Sequence, residues 1–205
     1  MWLRILLLLV LTSVTPAHAA RTILVFGDSL SAGYGLPTGS GWVSLLEQRL
    51  KRERLDYTVV NASISGETTL GGRNRIASVL AEHEPAVVIV QLGANDGLRG
   101  NSIEETRGNL IAVVEASRKA GAKVLVVGMR IPPNYGQVYA RRFESLFAEV
   151  ARQQNASLVP FMLQGFADNR EWFQSDGIHP AVEAQPRILD NIYRRLRALL
   201  SPRRT

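Results

Sequence analysis

Short apolar runs alternate along the chain with longer amphipathic segments. Five runs begin about 30–40 residues apart, and the first of them, Ile23–Phe26, lacks the polar alternation of a half-exposed strand, which is typical of a strand buried on both faces. Each gap is long enough for the crossover helix that parallel strands require. The predicted strands are Thr22–Phe26, Tyr57–Val60, Ala86–Val90, Lys123–Val127 and Ser157–Val159.

The segments between these runs carry apolar residues at helical spacing. One predicted helix opens on the capping box Ser102–Glu105 and ends before Gly121. The core-facing stripes are Trp42, Leu45, Leu46 and Leu50, then Tyr139, Phe143, Leu146, Phe147 and Val150, and finally Ile188, Ile192, Leu196 and Leu199. We therefore predict one three-layer α/β domain, a five-stranded parallel sheet with helices on both faces and flavodoxin-like strand order.

The first nineteen residues have the composition of a secretory signal. Arg4 precedes the apolar run Ile5–Val14, and Ala17–Ala19 is an A-x-A cleavage site before Ala20. A membrane anchor is the alternative, but this run is too short for roughly 30 Å of hydrocarbon. We expect a signal peptide over 1–19, a single domain over 20–205, a periplasmic or secreted protein, and no stable membrane insertion after cleavage.

Composition restricts the chemistry further. Removing residues 1–19 from the 205-residue chain leaves 186 residues, and loss of Arg4 reduces the net charge from +6 to +5. The chain has no Cys, which excludes disulfides, thiol nucleophiles and thiolate metal sites. Export argues against ATP or NAD chemistry, and we expect no cofactor. We also expect no metal site and a monomer. Nucleic-acid binding is not expected, because no aromatic residues are interspersed among the late arginines, which are Arg194, Arg195, Arg197, Arg203 and Arg204.

Small polar segments follow the first three predicted strands: Gly27–Leu30, Asn61–Thr68 and Gly93–Gly97. In an open α/β sheet the carboxyl ends of the strands form one edge, where ligands bind. Ser29, on a tight turn after the first strand, is placed like a hydrolase nucleophile. Ordinary turn chemistry also explains Gly-Asp-Ser, so the assignment depends on a partner base.

The mature chain holds only two histidines that could serve as this base. His83 precedes the third strand, at the opposite edge of the sheet, and is expected to be a surface residue. His179 follows Asp176 by three residues, so one loop can bring the carboxylate to imidazole Nδ1 and leave Nε2 for Ser29. A helix-capping Asp beside an incidental His is the alternative. Pro180 is predicted to open the last helix.

A tetrahedral intermediate also needs hydrogen-bond donors for its oxyanion. The backbone N–H groups of Ser29 and Gly66 and the side-chain amide of Asn95 come from three converging loops. We expect them to form the oxyanion hole, with glycine at position 66 because its bare backbone must approach the substrate closely.

With these segments in order, the chain resembles the SGNH (GDSL) hydrolase family over residues 22–190. The family's Ser, Gly, Asn and His correspond to Ser29, Gly66, Asn95 and His179, and Asp176 completes a catalytic triad. Four spaced blocks are far more specific than any one of them. The resemblance implies hydrolysis of acyl esters and thioesters without a cofactor.

Some segments resemble one branch of this family, the bacterial periplasmic thioesterase, lysophospholipase and arylesterase group. Ala94 departs from that branch, which has a second glycine there, so φ at this position must be negative for Asn95 to keep its aim. The segments are Asn61–Thr68, Asn95–Gly100, Pro133–Gly136 and Asp176–Pro180.

Three further expectations concern the substrate. It is a small acyl ester, thioester or lysophospholipid. Apolar residues near the edge, in Ile131–Gly136 and at Leu98, are candidates for holding the acyl chain, although Leu98 equally fits plain packing. The residues proposed to contact substrate are Asp28, Leu98, Pro133, Asn134 and Tyr135.

Other functions remain open from the residues alone. A carbohydrate acetyl esterase would use the same triad but show no gain with longer acyl chains. A metal-dependent phosphoesterase would use Asp28, Asp96, Asp176 and His179 and be sensitive to chelators. A non-enzymatic periplasmic binding module would need no triad at all.

Overall fold

A single parallel sheet forms the centre of the molecule. The computed structural model describes residues 20–201, so the predicted signal peptide and the arginines at 203 and 204 lie outside the described part. All five predicted strands are confirmed to within one residue at each end. They are β1 (Arg21–Gly27), β2 (Tyr57–Asn61), β3 (Val87–Gln91), β4 (Lys123–Val127) and β5 (Ser157–Val159).

The strand order is β2-β1-β3-β4-β5, and every neighbouring pair is parallel. Val25 pairs with Asn61 on one side and Ile89 on the other, and Leu125 lies between Ile89 and Ser157. This is the flavodoxin-like order expected from the sequence. The order brings the loops after β1, β2 and β3 together, because β1 lies between the other two strands.

Helices cover both faces of the sheet, which confirms the three-layer architecture. α2 and α7 pack together on one face, and α3, α5 and α6 lie side by side on the other. The helices are α1 (Ser29–Ala32), α2 (Trp42–Arg52), α3 (Thr69–His83), α4 (Ala94–Leu98), α5 (Ile103–Lys119), α6 (Gln137–Gln153) and α7 (Gln185–Leu196).

The core explains why the central strands β1 and β3 carry no polar alternation. All five residues of β3 and the segment Ile23–Phe26 are buried because both faces of these strands are covered. Trp42, Phe143 and Phe147 are among the largest fully buried side chains and pack the helices against the sheet. The predicted stripes are core-facing, except that Leu45 and Tyr139 are only partly buried and Leu199 lies past the end of α7.

The predicted start and end of α5 are confirmed, with Ser102 as the N-cap. Ser102 Oγ accepts a hydrogen bond from the backbone N–H of Glu105 at 3.4 Å, and Gly121, beyond the C-cap, has φ of 86°. One long helix is thereby closed at both ends by signals visible in the sequence. Among residues 20–201, no helix is long and apolar enough to cross a membrane.

The prediction that Pro180 opens the last helix is wrong. α7 begins at Gln185 with Pro186 in its first turn, and Pro180 instead forms an isolated antiparallel bridge with Phe173. Its carbonyl accepts a hydrogen bond from the Gln185 side chain at 3.3 Å, so this stretch is held extended ahead of the helix. His179 consequently stands on a braced loop, several residues before the start of a helix.

Candidate active site

The turn after β1 presents Ser29 at the carboxyl edge of the sheet. Ser29 is the first residue of the four-residue helix α1, and the side chain of Asp28 caps this helix by accepting from the N–H of Leu30 at 3.0 Å. The helix ends at Gly33, whose N–H returns to the Ser29 carbonyl. We call residues 28–33 the serine turn. The sharp reversal leaves the Ser29 side chain partly exposed at the edge.

Asp28 lies beneath this turn, and the expectation that it contacts substrate is wrong. Its side chain is fully buried and accepts a hydrogen bond from Gln91 Nε2 at 3.1 Å. Gln91 also accepts from Ser31 Oγ at 2.6 Å, so one buried amide from β3 supports both ends of α1. Burial raises the pKa of Asp28 to about 6, although the hydrogen bonds from Leu30 and Gln91 oppose the shift.

The loop between β5 and α7 supplies the other two members of the predicted triad. We call residues 173–181 the histidine loop. His179 Nε2 lies 2.9 Å from Ser29 Oγ, and His179 Nδ1 lies 2.7 Å from Asp176 Oδ2. These three side chains form a Ser–His–Asp relay of the kind that activates a hydrolytic serine, with the members joined across 150 positions of sequence.

Hydrogen bonds within the histidine loop favour the ionised form of Asp176. Its Oδ1 accepts from the backbone N–H groups of Ile178 at 2.9 Å and His179 at 3.0 Å. Partial burial acts to raise the pKa of Asp176, but these bonds and the contact with the His179 ring outweigh it and lower the pKa to about 2. Asp176 is therefore a carboxylate throughout the neutral range, able to hold the imidazole in one tautomer.

The two loops predicted to supply oxyanion donors together with Ser29 are joined to each other. Asn95 is the second residue of α4, and its Nδ2 donates to the Glu67 carbonyl at 3.0 Å, which ties it to the loop carrying Gly66. Gly66 is exposed and has φ of 80°, with open space where a Cβ would stand. Backbone conformation explains the glycine here, because the left-handed region is unfavourable for other residues.

The loop and short helix after β3 are anchored by a buried carboxylate. The left-handed conformation falls on Gly93, with φ of 115°, and Ala94 is the first residue of α4, so the departure from the family pattern leaves the turn intact. Asp96 is buried and accepts from Thr69 N at 2.9 Å and from Thr69 Oγ1 at 2.7 Å. These bonds fasten α4 to the start of α3 and fix the base of the Asn95 side chain.

The remaining predicted substrate contacts lie around this edge. Leu98 is partly buried at the end of α4. Pro133–Tyr135 forms a single 3₁₀ turn between β4 and α6, with Asn134 and Tyr135 exposed. These residues share the edge with the triad, and their contact with substrate remains a proposal.

The groups needed for the metal-dependent alternative are not assembled. His83 ends α3 at the opposite edge of the sheet, and both oxygens of Asp96 are occupied by Thr69. Within residues 20–201, no group of three or more His, Cys, Asp or Glu side chains is arranged to hold a metal ion.

Two residues that contact the triad or its loops were not predicted from the sequence. The ring of Tyr34, about half exposed, lies 4.5 Å from the ring of His179 between centroids. Gln174 donates from Nε2 to the Tyr34 carbonyl at 2.9 Å. Neither residue has a local sequence signature, because each acts across a distance of about 140 positions. In the sequence, only the flanking glycines Gly33 and Gly35 indicate that another part of the chain approaches the backbone at Tyr34 closely.

Comparison with known proteins agrees with this geometry. Residues 25–187 match the GDSL-like Lipase/Acylhydrolase family. The chain is 48% identical over 192 residues to "Esterase TesA" of Pseudomonas aeruginosa, covering 94% of this chain and 96% of that protein. It is 38% identical to "Thioesterase 1/protease 1/lysophospholipase L1" of Escherichia coli, covering 90% and 88%. The structure titled "Crystal Structure of TesA" matches with a TM-score of 0.86 and 49% identity, covering 88% of this chain and all of that one. The chain therefore belongs to the GDSL-like lipase/acylhydrolase family of carboxylic ester hydrolases.

Proposed function

We propose that this protein hydrolyses acyl esters and thioesters through an acyl-enzyme formed on Ser29. The observation that carries the proposal is the continuous relay from Asp176 through His179 to Ser29, with contacts of 2.7 and 2.9 Å. Such a relay converts a weakly nucleophilic hydroxyl into one that transfers its proton as it attacks.

In the first half-reaction, Ser29 Oγ attacks the acyl carbon while its proton passes to His179 Nε2. The carbonyl π electrons move onto oxygen, and this oxyanion accepts from Ser29 N–H, Gly66 N–H and the second N–H of the Asn95 amide. The intermediate collapses, the bond to the leaving alcohol or thiol breaks, and the leaving group takes the proton from His179. Asp176 orients His179 and stabilises its transient positive charge.

In the second half-reaction, water attacks the acyl-enzyme. His179 accepts the proton of this water, and the same donors bind the second oxyanion. The collapse returns the proton to Ser29 Oγ and releases the carboxylic acid. No cofactor is required in either half, because the base, the nucleophile and the oxyanion donors are all protein groups.

An apolar rim along the carboxyl edge of the sheet, the edge that carries the triad, supports a substrate with a medium or long acyl chain. Each large hydrophobic side chain that is substantially exposed within residues 20–201 lies in a segment following the carboxyl end of a strand. Exposed apolar patches on small soluble proteins mark binding surfaces. The rim consists of Tyr34, Ile64, Leu70, Tyr135, Val138, Ile178 and Val182, which are 39–66% exposed.

The relatives' names suggest the chemical classes to test. An esterase and a thioesterase/lysophospholipase, at 48% and 38% identity, point to acyl esters, acyl thioesters and lysophospholipids as substrates. The proposed contacts are Leu98 and the 3₁₀ turn Pro133–Tyr135, with Asn134 available to a polar leaving group.

The decisive test is hydrolysis of nitrophenyl esters from acetyl to palmitoyl, with and without a chelator. We expect the rate of hydrolysis to be highest with medium or long acyl chains and to be unchanged by the chelator. Ser29→Ala should show no activity. Ser145→Ala, on the exposed face of α6, is the matched control and should behave as wild type. Activity confined to acetyl esters would favour a carbohydrate acetyl esterase, and turnover that survives Ser29→Ala would refute the mechanism.

We also propose that the protein is exported as a single-domain monomer after cleavage behind Ala19. β1 begins at Arg21, so cleavage there would leave the described fold complete. Amino-terminal sequencing of the protein from a periplasmic fraction should begin at Ala20, and gel filtration should give a mass near that of one mature chain. A different amino terminus, or a dimeric mass, would contradict the corresponding part.

A further inference from the structure

A closed ring of hydrogen bonds joins the serine turn to the histidine loop. The Ser29 carbonyl accepts from Tyr34 N at 3.2 Å, and the Tyr34 carbonyl accepts from Gln174 Nε2 at 2.9 Å. Gln174 N donates to the His179 carbonyl at 2.8 Å, and His179 Nε2 contacts Ser29 Oγ at 2.9 Å. We propose that Gln174 is a positioning residue, which holds His179 at working distance and angle from Ser29.

The chemistry of a glutamine suits this place. Its Nε2 carries two N–H groups, and they point to the carbonyls of Tyr34 at 2.9 Å and Pro180 at 3.3 Å. Its backbone N–H donates to the His179 carbonyl at the same time. Gln174 therefore bonds the serine-turn side through Tyr34 and the histidine loop through His179 and Pro180. An uncharged side chain of this length with two donors is found only in glutamine.

The packing of Gly35 against this amide is a second, independent observation. Gly35 has φ of 70°, and a Cβ built there would stand 2.2 Å from Gln174 Oε1. A side chain at position 35 would therefore push the Gln174 amide away from the Tyr34 carbonyl. The backbone after the serine turn is shaped to admit this glutamine.

The rest of the histidine loop is held by other groups. Arg170 donates to the carbonyls of Gln174 at 2.6 Å and Ser175 at 2.7 Å. Gln185 is buried, donates to the Pro180 carbonyl and accepts from Trp42 N at 3.0 Å. Because these bonds remain when the Gln174 side chain is removed, the loop should stay folded while the Ser29–His179 geometry loosens.

This inference rests on the roles proposed above for Ser29 and His179. Misplacing reacting groups by about 1 Å costs on the order of a hundredfold in rate. We expect removal of the Gln174 amide to lower kcat by about tenfold to a hundredfold. KM should stay within about twofold, because the Gln174 amide aligns reacting groups by bonding main-chain carbonyls, whereas the acyl chain is proposed to contact the apolar side chains of the rim.

The test compares Gln174→Met with Gly35→Ala, which displaces the amide without removing it, and with the double variant. Methionine keeps the length of the side chain and lacks both donors. Gln48→Met, at an exposed position of α2, is the matched control. For each protein we would measure kcat and KM on one nitrophenyl ester, the midpoint of thermal unfolding, and both the rate and final stoichiometry of labelling by a nitrophenyl phosphonate.

We expect both single variants to label Ser29 to full stoichiometry but about tenfold or more slowly, with kcat falling in parallel. The double variant should resemble the single ones, because both changes break the same contact. Wild-type turnover per labelled site in Gln174→Met would overturn the proposal, whether or not its stability falls. An effect of Gly35→Ala that adds fully to that of Gln174→Met would overturn it as well. Failure of the proposed function itself would appear separately, as activity surviving in Ser29→Ala.

Discussion

The aromatic ring of Tyr34 lies against the imidazole ring of His179, with 4.5 Å between centroids and 38° between planes. Tyr34 is about half exposed, so the base is sheltered on this side by a ring that itself faces solvent. An aromatic face attracts a positive charge, and His179 becomes positively charged when it holds the proton of Ser29. We therefore expect this tilted ring contact to favour the transition state over the resting enzyme.

The first prediction concerns this stacking. Tyr34→Phe should keep kcat near wild type, since the ring remains. Tyr34→Leu should lower kcat by about two- to fivefold, which corresponds to the roughly 0.5–1 kcal/mol of an exposed cation–π contact. Steady-state kinetics on a single ester would measure this, and equal loss in both variants would show that the hydroxyl, instead of the ring, is responsible.

The second prediction concerns the oxyanion hole. Asn95→Ala should lower kcat by about a hundredfold to a thousandfold with little change in KM, because the donor acts on charge that develops only in the transition state. Asn74→Ala, at an exposed position of α3, provides the control. A rise in KM with kcat preserved would instead assign Asn95 to ground-state binding.

The third prediction concerns Asp176. Asp176→Asn keeps the size of the side chain but removes the charge and reverses the preferred bond to Nδ1, so kcat should fall by about a thousandfold or more. The pKa of Asp176 is about 2, so the wild-type residue stays ionised across the acid limb of a pH–rate profile measured above pH 4. Asp168→Asn, an exposed change in the same β5–α7 connection, should leave both rate and profile unaltered.

The fourth prediction concerns stability and pH. Burial raises the pKa of Asp28 from 3.8 to about 6, so between these values the folded protein holds a proton that the unfolded chain has lost. As pH rises through this window, Asp28 lowers the free energy of unfolding by about 3 kcal/mol in total. Asp28→Asn keeps a capping side chain and removes this dependence.

Urea unfolding of the wild type and of Asp28→Asn at pH 4, 5, 6 and 7 would measure how the free energy of unfolding depends on pH in each protein. Relative to wild type, Asp28→Asn should gain stability steadily from pH 4 to pH 6 and then level off. A constant difference between the two proteins across the series would show that Asp28 titrates alike in both states.

Much of the fold was visible in the sequence for local reasons. Parallel strands packed between helices need short apolar runs, and five such runs located the strands to within one residue. The capping signals of α5 act within a few positions, so they too could be read directly. The start of α7 was missed because Pro180 and Pro186 are equally suited to a first helical turn, and only the bridge between Pro180 and Phe173 decides between them.

Part of the candidate site could also be predicted from local features of the sequence. Asp176 and His179 are three residues apart on one loop, so their contact follows from local geometry, and the absence of another suitably placed histidine pointed to Ser29 as their partner. The family resemblance rested on the same short blocks. By itself, then, the sequence determined the class of fold, the class of reaction and the residues most suited to it.

Tertiary structure alone decided which polar residues face substrate and which support them. Asp28 looks exposed in a Gly-Asp-Ser turn, yet Gln91 from the adjacent strand buries it. Gln174 has no signature, because its side chain meets the carbonyl of Tyr34, 140 positions away. Backbone carbonyls are the same at every residue and leave no trace in sequence, so contacts made to them become visible only when the chain has folded.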